Sequence, residues 1–135
     1  MFSEWEVEEV LGAYIEAALW SSTDAEGEPL DNNYTLEDIA PESLEKMRRD
    51  VESFLGLDGD EIGAEIIFED IREFTLAARV YLPSVGHDFW LTRNRHGAGF
   101  WDRGAGYIGD RITDRAQGYG EAWLSVSDDG LLYAD

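Results

Sequence analysis

Both histidines of the chain, His87 and His96, fall in the segment 86–104, GHDFWLTRNRHGAGFWDRG, beside Asp88, Asp102, Arg93, Arg95 and Arg103. Imidazole titrates near neutrality and a carboxylate can fix its tautomer, so this set has the ingredients of general acid–base catalysis. His87, His96, Asp88 and Asp102 would also offer two nitrogen and two oxygen ligands to a metal if the chain folded them together. Their spacing matches no ligand signature such as HExxH. The same residues have a plainer use, in which Trp90, Trp101, Phe89 and Phe100 pair across two strands and Asp88, Arg93, Asp102 and Arg103 form ion pairs that pin them. The segment therefore enters as a candidate binding surface, through His87, Asp88, Trp90, Arg93, Arg95, His96, Trp101, Asp102 and Arg103. No catalytic residue, resident metal or cofactor is assigned. There is no GxSxG elbow and no GxxxxGK[ST] loop, and a chain without cysteine has no thiol nucleophile or Cys-ligated centre.

A second pattern is electrostatic. Glu61, Glu65, Glu69 and Glu73 recur at i,i+4 with Asp70 beside them, which on a helix makes one row of carboxylates repeating every ~6 Å. Like charges at this spacing oppose folding by roughly 0.2–0.5 kcal/mol per pair. Such a row can imitate a nucleic-acid backbone and occupy the basic groove of a protein that handles DNA or RNA. It can equally be the wet face of a helix. One lysine against nine arginines, in a chain of net charge −20, is also what a halophilic or GC-rich origin would produce without any partner.

These groups must be positioned by elements that the apolar spacing outlines. Val7, Val10, Leu11, Tyr14 and Ala18 predict a first amphipathic helix, and Leu44, Met47, Val51 and Phe54 a second over about 41–55, with Pro41 at its start and Gly56 at its end. Ser21 to Asn33 reads as a surface loop, followed by a short turn over Thr35 to Asp38. A third helix is predicted from a cap at Asp60 up to Pro83, with Ile62, Ile66, Ile67, Ile71, Phe74 and Ala78 on one stripe. His87 to Arg103 then reads as a β-hairpin with Asn94-Arg95-His96-Gly97 at its tip. Ile108, Ile112 and Ala116 suggest a short helix, and 121–133 a second hairpin with its turn at Asp129-Gly130.

The 135 residues suit one domain with its own core. The charge is uneven, −17 over residues 1–80 and −3 over 81–135. A chain this acidic argues against direct nucleic-acid binding and against docking on anionic lipid by charge. The first residues lack a basic and an apolar region, and no window reaches a membrane span, so a soluble, intracellular protein is expected.

The segment 86–104 resembles a pattern, GHDFWLTRNGHGAGFWDRG, in a family of small uncharacterised proteins of tailed bacteriophages. Looser similarity extends to Ala18–Ser22, Ile39–Glu42 and Asp128–Tyr133. The resemblance implies viral origin and a host cytoplasm, and supplies no reaction. Arg95 stands where the pattern has glycine, at a position where positive φ costs a side chain on the order of 1 kcal/mol.

The combined expectation is an α+β fold, three N-terminal helices packed on a small antiparallel sheet of two hairpins with a short helix between them. The expected role is that of a phage accessory protein, more an inhibitor or modulator than an enzyme, whose acidic row (Glu61, Glu65, Glu69, Asp70, Glu73) meets a basic surface on a host nucleic-acid-handling or defence protein. The alternative is a small-ligand protein or enzyme with a His/Asp/Arg pocket in 86–104.

Overall fold

The computed structural model describes residues 1–134 and is mostly helical. Helix α1 spans Glu4–Ser21 and opens on a capping box, in which the Ser3 hydroxyl accepts from the Glu6 amide and the Glu6 carboxylate from the Ser3 amide. Its inner face buries Val7, Val10, Leu11, Tyr14 and Ala18, the five positions that its sequence period selects. A loop leads to 3-10 turns at Leu30–Asn32 and Leu36–Asp38, the latter capped by Thr35. Helix α2 spans Pro41–Phe54, with Pro41 in its first turn and Gly56 beyond it at φ +85°. Helix α3, Glu61–Ala78, starts where the Asp60 carboxylate accepts from the Gly63 amide and ends at Arg79 in the left-handed region, short of Pro83.

The next element overturns the expected sheet. Residues 83–93 form helix α4, Pro83–Arg93, where a strand is predicted, and the second strand of that hairpin is a 3-10 turn at Phe100–Asp102. The protein therefore has helices through its middle and one small sheet at its end, in place of three helices on two hairpins. The physical reason is burial. Val85, Gly86, Asp88, Phe89, Trp90, Leu91, Thr92 and Arg93 are all buried, so α4 is enclosed on nearly every side and shows no amphipathic stripe. Pro83 fits its first turn, and α1 lies along its length, crossing so closely at Gly86 that a Cβ there would sit 1.9 Å from the Val10 carbonyl oxygen. Phe89 and Phe100 do not pair across strands. Both stack on Phe54, with ring centroids 4.1 and 5.7 Å away, and Phe74 meets Phe100 edge-on at 5.1 Å. Trp101, expected opposite Trp90, is half exposed.

Helix α5, Tyr107–Gln117, buries Ile108, Ile112 and Ala116 as its spacing predicts. The chain closes with β1, Leu124–Val126, antiparallel to β2, Leu132–Ala134, in the register Leu124↔Ala134 and Val126↔Leu132. This is the second hairpin of the sequence reading, with Gly130 at φ +84° in its turn. It is tied to α2 by the Ala134 amide on the Ser43 hydroxyl and to the preceding loop by the Ala40 amide on the Leu132 carbonyl. No helix among the described residues is long and apolar enough to cross a membrane.

Candidate functional site

Because 86–104 is a helix and a loop and not two facing strands, its polar side chains split into separate groups, some paired within the segment and some with other elements. Asp88, 1% exposed, takes two parallel hydrogen bonds from Arg103, Nε to Oδ2 at 2.9 Å and Nη2 to Oδ1 at 2.8 Å. That bond is the main reason the Arg103 guanidinium is held above its ordinary pKa. Half-buried His87 sits with Nδ1 3.1 Å from Asp88 Oδ1 and its ring against Trp20. His96 lies exposed beyond the C-terminal end of α4. Asp102 is exposed and folds back on its own 3-10 turn, where it accepts from the Gly99 amide. Of the four residues that could share a metal or a proton, only His87 and Asp88 are brought together, and no group of three His, Asp or Glu side chains able to hold a metal occurs among the described residues.

Arg93 is a structural cation. It donates to Asp50 at 2.8 Å, to the Tyr14 hydroxyl at 2.9 Å and to the carbonyls of Gly120 and Tyr119, and it packs over the rings of Phe89 and Tyr119. Burial opposes its charge, but Tyr14 and Asp50 outweigh burial and raise its pKa. Burial also pushes the Tyr14 hydroxyl up to about 12, against the pull of Arg93. Three more groups of the segment are similarly engaged. Trp90 donates from Nε1 to Ser21, Thr92 accepts from the Phe100 amide, and Asn94 links Trp90 to Ala122.

Arg95 has φ +57°, a positive φ of the kind its glycine-favouring place suggested, though for another reason. Its amide donates to the Thr92 carbonyl and the His96 amide to the Leu91 carbonyl, which is the Schellman ending of a helix with Arg95 at the left-handed position. The turn closes α4 and joins no strands.

The acidic row stands apart from all this. Glu61, Glu65, Glu69 and Glu73 are exposed on α3, and none of the four is in an ion pair among the described residues. Asp70 is half-buried and bonded at 2.9 Å to Arg111 of α5, so it belongs to the α3–α5 contact and not to the open row. Helix α3 packs chiefly on α5 and turns its outer side to solvent. That side carries apolar groups as well, since Ile62 is 74% exposed, Ile66 49% and Leu76 75%, whereas Ile71 and Phe74 are buried. Ile62 and Ile66 therefore leave the core stripe assigned to them. The signal was in the numbering: at about 100° per residue, Ile62 stands about 180° from Ile71 around the helix. Ile66 also borders a cleft of about 330 Å³ between α3 and α5, walled by Ile67, Ile71, Ile112 and Phe54.

Comparison with known protein families, with curated proteins and with solved structures finds no match to this chain.

Proposed function

We propose that the protein is an acidic binding module that attaches to a basic surface of another protein through the outer side of α3 and so inhibits or redirects it. The observation that carries this reading is the row Glu61, Glu65, Glu69 and Glu73, exposed and without ion pairs, running beside exposed Ile62, Ile66 and Leu76. A solvated helix face has no need of large aliphatic groups. Protein interfaces combine an apolar centre with charges that set orientation and association rate. The row's ~6 Å repeat suits a groove that otherwise receives a nucleic-acid backbone, which makes DNA- or RNA-handling and defence proteins the natural targets. The similarity of 86–104 to tailed-phage proteins supplies the setting of a phage accessory protein in an infected bacterial cytoplasm. Binding, not catalysis, is the proposed activity, because the two histidines of 86–104 do not meet: His87 lies within α4 and His96 beyond its C-terminal end. The test is affinity capture from bacterial lysate at low and high salt. Recovery of a basic nucleic-acid-handling protein that elutes with salt, and is lost when the four glutamates are changed to lysine, supports the reading. Recovery of the same proteins by the charge-reversed variant refutes it.

A further inference from the structure

Away from α3, a cavity of about 420 Å³ opens where α1 and α4 both end, between Ser22, Thr23, Trp90, Arg95, His96 and Trp123. Its wall contains no Asp or Glu. In a chain with thirty acids this is unusual, and three other cavities among the described residues each include a carboxylate, Asp70 in one, Asp58 and Asp60 in the next and Glu61, Glu65 and Glu69 in the last. Arg95 and His96 have no carboxylate partner among the described residues, whereas Arg93, Arg103 and Arg111 are each paired.

Helix ends of this polarity ordinarily disfavour an anion. Here several of the carbonyls near the two ends are turned onto local donors: Ala17 and Ala18 accept from Ser21 and Ser22, Trp90 from the Asn94 side chain, Leu91 from His96 and Thr92 from Arg95. The cavity is thus lined by an unpaired guanidinium, an imidazole and two hydroxyls not engaged elsewhere. The Trp90 indole, its N–H already donated to Ser21, and the 59%-exposed Trp123 add flat apolar walls. Arg79 shares the left-handed backbone of Arg95 at the end of α3, so that conformation alone marks nothing. The cavity is what sets Arg95 apart.

The geometry points to a binding site for a small organic anion, its carboxylate held between Arg95 and His96 and its planar apolar body against the two indoles. This site is independent of the α3 surface. The test is a two-dimensional NMR titration of the labelled protein with naphthoate, with uncharged naphthamide and with inorganic phosphate. Naphthoate is expected to give saturable shifts at Ser22, Thr23, His96 and the Trp123 indole, with the other two probes at least about tenfold weaker. Arg95→Gly, which suits the left-handed backbone, is expected to keep the fold and to lose at least about tenfold in naphthoate affinity. Shifts that do not saturate, equal binding of naphthamide or phosphate, or unchanged affinity in Arg95→Gly would each overturn the assignment.

Discussion

Substitution of two glycines by alanine has opposite consequences if α4 is a helix clasped by α1. Gly86 lies inside α4, and an added Cβ there would stand 1.9 Å from the Val10 carbonyl oxygen and 2.9 Å from the Tyr14 amide nitrogen, both backbone atoms. Ordinary contact requires more than 3 Å, so the helices must separate by over an ångström along an interface that includes Val10, Tyr14, Phe89 and Trp90. Overpacking of this kind costs about 1–3 kcal/mol where a side chain can yield, and the top of that range or more where backbone meets backbone. The helix-propensity gain of about 1 kcal/mol offsets only part of it. Gly86→Ala is therefore expected to destabilise by about 2–3 kcal/mol, a fall in Tm on the order of 10 °C for a chain of this size. Gly12 is the control. It is an exposed residue of α1 with nothing within 4 Å of its added Cβ, so Gly12→Ala should stabilise by up to about 1 kcal/mol. Both values come from urea unfolding followed by circular dichroism. If Gly86→Ala is neutral or stabilising, α4 does not cross α1 as described, and a strand at 86–92 regains its case.

Three further outcomes are expected. Arg93→Met strands the Asp50 carboxylate and removes the donors to Tyr14, Tyr119 and Gly120, which should cost about 3–5 kcal/mol in chemical denaturation, and adding Asp50→Asn should recover part of that loss. Tyr14 titrates at about 12 in the fold against an ordinary 10, so its hydroxyl contributes stability that is complete below pH 10 and is lost as the pH rises towards 12, by about 2–3 kcal/mol; Tyr14→Phe should flatten unfolding free energy across that window. Glu65→Lys turns two repulsive i,i+4 contacts, with Glu61 and Glu69, into attractive ones and should raise stability by about 1 kcal/mol in low salt, an effect that about 1 M salt largely removes.

Much of the secondary structure was legible where burial is one-sided. Helices α1, α2 and α5 each bury a stripe and expose the rest, so their apolar period shows, and the last hairpin announces its turn with Asp129-Gly130. Helix α4 escaped because it is buried all round: with Phe89, Trp90, Leu91 and Thr92 consecutively interior, no period of 3.6 remains, and two aromatic runs around Asn94 imitate a hairpin. The same difference separates His87 from Asp102, which facing strands would have brought together. The row on α3 was visible because i,i+4 spacing is a local property. The cavity by Arg95 was not, being assembled from residues near 22, 95 and 123 that only the packing of α1, α4 and the start of β1 brings together.

In the proposed reading the α3 row, and not net charge, engages a partner. The most direct measurement compares the affinity of the captured partner for two variants of equal charge. In one, Glu61, Glu65, Glu69 and Glu73 become glutamine; in the other, the exposed Glu16, Glu26, Glu37 and Glu121 do. A row that meets a basic surface predicts a loss of at least about tenfold in the first and little change in the second. Equal losses in both would reduce the acidity to a general field and contradict the assignment of α3.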